Sequence, residues 1–300
     1  MRIVVTGRFG QIAQSLVERG PSSSMEVLTL ARPAIDLARS SDLTNVLGAL
    51  RPQAVVSAAA YTAVDLAESE PVLAHQINAN GAEALARATA RLQIPIVHLS
   101  TDYVFDGTLD RPYCEEDAPC PVNVYGSSKL RGERLVAAAN SNHAILRTAW
   151  VYSPFGKNFA RTMLSLAGSR DEISVVGDQR GAPTSALDIA DGIFKVLCNL
   201  IARPDDPAIR GVFHMTGGGE TNWAEFAMAI FAASATNNGP FSQVRSIASS
   251  DYPTKARRPL NSRLDNTKLA GAHGVTLPPW RDSMPETIAR ILAEDFQKKA

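Results

Sequence analysis

Residues 100–133 read STDYVFDGTLDRPYCEEDAPCPVNVYGSSKLRGE, and this stretch carries most of the information about fold and chemistry. It follows an apolar run, residues 94–99, that is typical of a buried strand in a parallel sheet. Thr101 therefore stands at the end of a predicted strand. Tyr125 and Lys129 are four residues apart, so a helix would place them one above the other on one face. A phenol beside an ammonium at a strand end can move a proton to or from a carbonyl oxygen.

The first half of the chain alternates strand-like runs with helical stretches, as βαβ units do. The runs predicted as strands are residues 2–6, 27–30, 54–58, 94–100 and 144–148. The stretches predicted as helices are 11–19, 42–50, about 72–92 and 124–139. This order predicts an α/β fold with a Rossmann-like doubly wound parallel sheet, whose strand C-termini line the ligand-binding edge.

After Trp150 the alternation loosens, which predicts a smaller, discontinuous substrate-binding lobe. Strands are predicted at 173–176 and 211–215, helices at 186–200, 223–233 and about 283–296, and irregular chain over 237–282, which is rich in Pro, Ser and Arg. We expect residues 1–149 and about 183–216 to form the dinucleotide-binding domain. Residues 150–182 and 217–300 would form the smaller lobe.

The composition excludes several classes of protein. Lysine and arginine together number 30, as do aspartate and glutamate, without a basic block, which argues against nucleic acid as a partner. No apolar run approaches the roughly 18 residues of a membrane span, and no leader precedes the first strand. We expect a cytoplasmic protein that does not enter the membrane. The three cysteines and five histidines are scattered, so no structural metal is expected.

A glycine-containing turn, TGRFGQIA at residues 6–13, joins the first strand to the first helix. Gly7 and Gly10 would let the backbone approach a diphosphate, and the N–H groups from Gln11 and Ile12 onward would face it. A plain tight turn is the alternative explanation. The position after the N-terminal first strand favours cofactor binding.

The end of the second strand bears on the choice of nicotinamide cofactor. A carboxylate there would bind the ribose 2′-hydroxyl of NAD, whereas an arginine accommodates the 2′-phosphate of NADP. The chain reads Thr29-Leu30-Ala31-Arg32, and Arg8 lies in the glycine turn. This favours NADPH, with NADH still possible. Both arginines could instead be merely solvated.

Two further segments are candidates for cofactor contact. Asp36 and Leu37 follow the second strand, where an adenine could rest between them, although Asp36 could instead cap the next helix. Ser40 and Ser41 suit that cap better. The third strand ends in Ala58, Ala59 and Ala60, whose small side chains leave room for a cofactor but are equally suited to close helix packing.

The Tyr125–Lys129 pair is the strongest chemical signal in the chain. Free tyrosine has a pKa near ~10, and a nearby ammonium stabilises the phenolate. We therefore expect Lys129 to lower the pKa of Tyr125 towards the operating pH. Taken alone, this spacing arises by chance more often than through catalysis, so its position after Thr101 and the glycine turn carries the argument.

With these motifs in place, the chain resembles the extended short-chain dehydrogenase/reductases, and among them the dTDP-4-dehydrorhamnose reductase family. The Tyr–Lys pair is common to the superfamily, while STDYVFDG at 100–107 and QRGAPT at 179–184 are more specific. The likeness also covers AAAYTAVD (58–65), AESEP (67–71), VYG (124–126), GE (132–133), RT (147–148), WVY (150–152), NF (158–159), RP (258–259), NS (261–262) and Leu264.

The resemblance implies NADPH-dependent reduction of the C4 ketone of dTDP-4-dehydro-L-rhamnose to dTDP-L-rhamnose, with Tyr125 as proton donor. It implies the following roles: Gly10, Gln11 and Ile12 on the diphosphate; Asp36 and Leu37 on the adenosine; Ala58, Ala59 and Ala60 at the cofactor's centre; Tyr125 and Lys129 on the nicotinamide ribose; Thr101, Asp102, Trp150 and Asn158 on the sugar.

Alternatives remain at this point. A sugar-nucleotide epimerase or dehydratase of the same superfamily would share the Tyr–Lys pair, and a regulatory subunit that resembles the family would serve only as a binding partner. Some family members dimerise through acidic side chains that bind Mg²⁺. Ser15 and Leu187 stand where those acids would lie, so we expect a monomer or a weak dimer without bridging Mg²⁺. Ala13 replaces the third glycine of the turn, a change the motif tolerates.

Overall fold

The computed structural model describes residues 1–39 and 43–297. Its strands are β1 (Arg2–Thr6), β2 (Glu26–Leu30), β3 (Ala54–Ser57), β4 (Ile96–Thr101), β5 (His143–Thr148), β6 (Val151–Tyr152), β7 (Glu172–Val176), β8 (Arg180–Gly181), β9 (Thr184–Ser185), β10 (Gly211–His214), β11 (Thr221–Asn222) and β12 (Gln243–Ile247).

The α-helices are α1 (Gln11–Arg19), α2 (Leu43–Leu50), α3 (Val64–Ala67), α4 (Pro71–His75), α5 (Ala82–Arg91), α6 (Val124–Ala139), α7 (Phe159–Ala167), α8 (Ala186–Ala202), α9 (Trp223–Thr236), α10 (Thr267–His273) and α11 (Trp280–Gln297). A π-helical turn, Gln76–Gly81, joins α4 to α5. Short 3-10 turns span Pro21–Ser23, Asp102–Val104, Pro207–Ile209 and Ser249–Asp251.

Six strands form a central sheet in the order β2-β1-β3-β4-β5-β10. Every neighbouring pair in it is parallel, so all strand C-termini lie along one edge. The strand order reverses between β1 and β3, and ligands of doubly wound sheets bind outside the strand ends at such a switch point. The predicted Rossmann-like α/β fold is confirmed.

Helices cover both faces of this sheet, and side chains alternate between the faces along each strand. Ile3 and Val5 of β1 belong to the same buried cluster as Leu16 of α1. Val4, between them, belongs to the opposite cluster together with Val136 of α6. Burial on both faces explains why these strands read as continuous apolar runs.

A separate hydrophobic core lies away from the sheet, within the part of the chain predicted to form the smaller lobe. Its side chains come from residues 152–175 and 224–292. The larger ones are Tyr152, Met163, Ile173, Phe226, Phe231, Trp280 and Ile288. The exact domain boundaries stay a prediction.

Three predicted elements need correction. The segment 237–282, predicted irregular, contains α10 and β12, and β12 pairs in parallel with β7. Because β12 is largely exposed, it lacks the apolar pattern that would have indicated a strand. The predicted helix 72–92 is interrupted by the π-helical turn. The last helix begins at Trp280, whose indole is buried, three residues before the predicted start. Ser40, Ser41 and Asp42, predicted to begin the second helix, lie outside the described residues.

No helix in residues 1–39 and 43–297 combines the length and the apolarity needed to cross a membrane.

Candidate active site

The turn between β1 and α1 forms a cradle at the switch point of the sheet. Gly7 has a positive φ of 94°, a conformation that side chains disfavour, and its N–H donates to the carbonyl of Leu30 at the end of β2. Gly10 occupies the N-cap position of α1 and offers no capping side chain. The first N–H groups of the helix therefore remain available for an anion such as a diphosphate.

Thr6 ties the two strands beside this cradle together. Its hydroxyl oxygen accepts hydrogen bonds from the backbone N–H groups of Ala58 and Ala59 at 3.0 and 3.1 Å. The alanine segment after β3 is thereby held against the glycine turn. Small side chains on one side and glycines on the other leave an open crevice between the strand ends.

A cavity of about 710 Å³ occupies this edge of the sheet. The predicted site residues that line it are Gly7, Gly10, Gln11, Ile12, Ala58, Ala59, Ala60, Thr101, Asp102, Tyr125, Lys129, Trp150 and Asn158. The structure thus brings together residues from five separate segments of the chain. The cavity extends from the glycine turn to Tyr125 and Lys129.

Helix α6 carries Tyr125 in its first turn, and two features fix that turn. The side chain of Asn123 caps the helix by accepting from the N–H of Gly126 at 2.8 Å. A Cβ atom at Gly126 would clash with the backbone oxygen of Tyr103, so only glycine allows this close approach. The ring of Tyr125 consequently lies edge-to-face with that of Tyr103, with centroids 5.8 Å apart.

Burial raises the pKa of Tyr125 to about 12, with the Thr101 hydroxyl acting in the opposite direction and Asp102 adding to the rise. The expectation that Lys129 lowers the pKa of Tyr125 towards the operating pH is therefore wrong. The physical reason is that the phenol is removed from water, which disfavours its anion. A phenol of this kind stays protonated at neutral pH and is suited to donate a proton.

Lys129 is buried, and its ammonium contacts two acceptors on β4. It donates to the backbone carbonyl of Leu99 at 2.5 Å, and it lies 3.4 Å from Nε2 of His98. Burial lowers the pKa of Lys129 to about 8, whereas the Glu133 carboxylate raises it. The ammonium is thus held at the cavity wall by the strand that also ends in Thr101.

Asp102 is buried beside Thr101, whose hydroxyl donates to its Oδ1 at 3.0 Å. Burial raises the pKa of Asp102 to about 6, while the hydroxyls of Ser262 and Thr101 lower it. The second carboxyl oxygen, Oδ2, has no hydrogen-bond partner among the described residues and can accept a hydrogen bond from a sugar hydroxyl.

Trp150 lies at the far wall of the cavity and has an unusual backbone, with φ at 50°. Its indole stacks on that of Trp223, with centroids 3.6 Å apart and the planes 12° from parallel. A Cβ at Gly181 would clash with the Trp150 ring. Trp223 also lines the cavity. It was not predicted, because an aromatic residue at a helix start is equally common in a core.

Asn158 lines the cavity, but its amide is already engaged in the local fold. Its Oδ1 accepts from the N–H of Arg161, which caps α7, and its Nδ2 donates to the carbonyl of Ser153. Its contact with the sugar stays a prediction.

Three predicted cofactor residues do not line the 710 Å³ cavity: Arg32, Asp36 and Leu37. Arg32 is exposed just beyond β2. Asp36 accepts from the N–H of Ala38 at 3.0 Å, so it forms a local turn. Leu37 packs against the core on one face of the sheet. Their roles at the adenosine end stay predictions.

A second cavity, of about 1250 Å³, adjoins the first, and both are lined by Tyr103 and Trp223. Five basic side chains line it: Arg170, Arg245, Lys255, Arg257 and Arg258. Most of them belong to the segment that was predicted to be irregular, so no pattern indicated a site. A cavity of this volume that is lined by basic side chains suits a nucleoside diphosphate.

Asn78 is a second residue that sequence reasoning missed. It lies in the π-helical turn, where its Oδ1 accepts from the N–H of Tyr61 at 2.7 Å and its Nδ2 donates to Ser128 at 2.9 Å. Asn78 thereby joins the loop after β3 to the helix that carries Tyr125. No sequence pattern indicates Asn78. Its signal is the π-helical turn, a geometry that often marks functional sites and is visible only in the structure.

Among residues 1–39 and 43–297 no three His, Cys, Asp or Glu side chains are grouped so that they could hold a metal ion. Ser15 and Leu187, at the positions expected for bridging acids, are both buried. Ser15 donates to the carbonyl of Gln11 within its own helix.

The sequence matches the model of the family described as RmlD substrate binding domain over residues 1–293. The dTDP-4-dehydrorhamnose reductase of Sinorhizobium fredii is 47% identical over 294 residues, which cover 98% of this chain and 99% of that protein. A crystal structure of the Clostridium acetobutylicum dTDP-4-dehydrorhamnose reductase is 35% identical with a TM-score of 0.88, covering 96% of this chain and 98% of that one. The Bacillus anthracis dTDP-4-dehydrorhamnose reductase, solved in complex with NADP, is 32% identical with a TM-score of 0.87, covering 98% and 99%.

Proposed function

The chain belongs to the dTDP-4-dehydrorhamnose reductase family, and from that membership we propose that it reduces the C4 ketone of dTDP-4-dehydro-L-rhamnose with NADPH to give dTDP-L-rhamnose. The observation that carries the proposal is the convergence of Thr101, Tyr125 and Lys129 on one cavity with the glycine turn. The S. fredii relative bears the name of this reductase, and the B. anthracis structure contains NADP.

When bound, NADPH would supply a hydride to C4 of the sugar. Gly7, Gly10 and the N-terminus of α1 would hold its diphosphate, and Lys129 would hold the nicotinamide ribose. Tyr125 would donate its phenolic proton to the carbonyl oxygen as negative charge develops there, and the hydroxyl of Thr101, on turning from Asp102, would orient that oxygen. The raised pKa of Tyr125, about 12, supports this role, because the donor is protonated before each turnover.

The second cavity would take the dTDP moiety of the substrate. Its basic side chains can pair with the diphosphate, and Trp150 would pack against the sugar at the junction with the first cavity. This arrangement would make residues 150–182 and 217–300 the substrate-binding lobe, and residues 1–149 with about 183–216 the dinucleotide-binding domain. Asp102 would accept hydrogen bonds from the sugar hydroxyls.

The test is NADPH absorbance with dTDP-4-dehydro-L-rhamnose against a panel of other 4-keto sugar nucleotides. We expect kcat/KM for dTDP-4-dehydro-L-rhamnose to exceed that for the others. A preference for a different keto sugar would change the substrate and leave the reaction class intact. Tightly retained NAD⁺ in the purified protein, with no net oxidation of added NADPH, would instead indicate an epimerase or dehydratase.

We expect NADPH to be used at least as well as NADH. No acid stands directly after β2 to repel the 2′-phosphate, and Arg32 or Arg8 can pair with it. Comparing kcat/KM for the two cofactors in the parent, Arg8→Ala and Arg32→Ala proteins shows which arginine acts. Arg91→Ala, which removes an exposed charge at the end of α5, is the matched control. A tenfold preference of the parent for NADH would contradict the expectation.

Activity should not depend on a divalent metal, and the protein should act in the cytoplasm as a monomer or weak dimer without bridging Mg²⁺. Proton donation and carbonyl orientation are assigned to Tyr125 and Thr101, and Ser15 and Leu187 are poor ligands for Mg²⁺. Dialysis against EDTA should leave both the rate and the solution mass unchanged. Activity that falls on dialysis and returns with Mg²⁺ would show that a metal site had been overlooked.

A further inference from the structure

A buried histidine lies behind the proposed cofactor-binding lysine. His98 is in the middle of β4, between the apolar side chains of Val97 and Leu99, and is about 1% exposed. Its Nε2 is 3.4 Å from Nζ of Lys129, and its Nδ1 is 3.0 Å from the hydroxyl oxygen of Ser57 on β3. A polar ring in this position costs desolvation unless its hydrogen bonds are made, and both ring nitrogens have partners.

The partners determine the protonation state of the ring. Burial, together with the charges of Lys129 and His143, holds the pKa of His98 well below its usual range, so the imidazole is neutral and has one donor and one acceptor nitrogen. An ammonium can only donate. Nε2 must therefore be the acceptor that faces Lys129, and Nδ1 carries the hydrogen that is donated to Ser57.

We propose that His98 is a positioning residue that keeps the ammonium of Lys129 protonated and aimed into the cofactor cavity, and that Ser57 fixes the tautomer this requires. The ammonium has three N–H donors. Two are directed to His98 and to the carbonyl of Leu99. The third is left for the cavity, which Lys129 lines. The inference rests on the proposed function only in assigning a nicotinamide cofactor to that cavity.

Charged groups on neighbouring elements also act on Lys129 and His98. Glu133, one turn further along α6, raises the pKa of Lys129, but its carboxylate is bound to Arg147 of β5. From β5, the charge of His143 acts on His98 in the same direction as that of Lys129. Because the pKa of Lys129 is about 8, the loss of one acceptor would discharge the lysine within the working pH range.

The test is NADPH affinity, measured by fluorescence over roughly pH 6 to 10. Affinity should fall as the pH rises through the pKa of Lys129, because the neutral amine has lost the positive charge and one of the three N–H donors. In His98→Leu the midpoint of this fall should move down by about one pH unit, the effect expected for one lost hydrogen bond to a charged group. His98→Gln, whose amide oxygen can still accept, should recover at least half of that shift.

Two further variants keep the outcome decisive. His214→Leu removes another fully buried histidine, one that contacts the carbonyl of Tyr113; it should lower stability but leave the midpoint of NADPH binding unchanged. Ser57→Ala should move the midpoint in the same direction as His98→Leu but less, and it decides the matter if His98→Leu does not fold. A midpoint that stays within about 0.2 pH unit in both His98→Leu and Ser57→Ala would overturn the proposal.

The readout separates this inference from the proposed function. NADPH binding requires no keto sugar, so a failed reductase assay would leave the shifted midpoint interpretable. If the parent protein binds NADPH with no loss of affinity at alkaline pH, Lys129 does not control binding through its charge, and the inference about His98 fails while the reductase can still be correct.

Discussion

Tyr125→Phe should lower kcat by at least about 100-fold, the contribution expected of a positioned acid, while the Kd for NADPH changes by less than about threefold. Phenylalanine keeps the ring that packs against Tyr103 and removes only the proton that would be transferred. The loss should therefore fall on the chemical step. Single-turnover kinetics with NADPH and a fluorescence titration of the cofactor measure the two quantities separately.

Tyr113→Phe is the matched control for this variant. Tyr113 is also buried, and its hydroxyl donates to Asp106 at 2.7 Å, which lines the second cavity but not the 710 Å³ cavity that contains Tyr125. Loss of the Tyr113 hydroxyl should leave kcat within a few-fold of the kcat of the parent protein. Retention of more than about a tenth of kcat in Tyr125→Phe would remove Tyr125 as the acid, given the usual size of this effect.

Arg147→Met should destabilise the protein by about 3 to 5 kcal/mol, the cost of stranding one member of a buried ion pair. Arg147 forms a bidentate pair with Glu133 at 2.7 and 2.9 Å, and both side chains are only 4% exposed. Glu133 also accepts from the hydroxyl of Ser100 at 2.5 Å. The pair thus joins α6 to β5, and the hydrogen bond from Ser100 joins α6 to β4 directly before Thr101. The midpoint of urea unfolding measures the loss.

A double variant, Arg147→Met with Glu133→Leu, should recover most of that stability, because two apolar groups leave no unpaired charge. Arg87→Met breaks an exposed pair with Glu83, whose arginine is 64% exposed, and should cost about 0.5 kcal/mol or less. If Arg147→Met cost no more than Arg87→Met, the buried pair would have no special part in docking α6 on the sheet.

The parts of the site that could be predicted from sequence depend on local spacing. Tyr125 and Lys129 are one helical turn apart, and Gly7 follows the first strand, so each was recognisable without knowledge of the tertiary fold. Parallel strands then bring their C-terminal ends to one edge, as the doubly wound topology requires. Thr101 could be placed beside them for that reason.

The parts that were missed depend on distant contacts or on burial. Trp223 reaches the cavity because α9 returns to stack it on Trp150, and the basic residues of the second cavity lie on chain with no regular pattern. The direction of the Tyr125 pKa was wrong because charge proximity can be inferred from spacing, whereas the removal of a phenol from water cannot. His98 was missed for the same reason, because it lies within the apolar run of residues 94–99 and its burial beside Lys129 cannot be inferred from spacing.

Transfer of deuterium from labelled cofactor tests the central claim most directly. NADPH that carries deuterium at both C4 positions of the nicotinamide is oxidised in the presence of dTDP-4-dehydro-L-rhamnose, and the sugar product is analysed by NMR and mass spectrometry. A reductase of the kind proposed should place one deuterium at C4 of dTDP-L-rhamnose for each NADPH consumed. A product with no deuterium, or with deuterium at another carbon, would contradict direct hydride transfer to the C4 ketone.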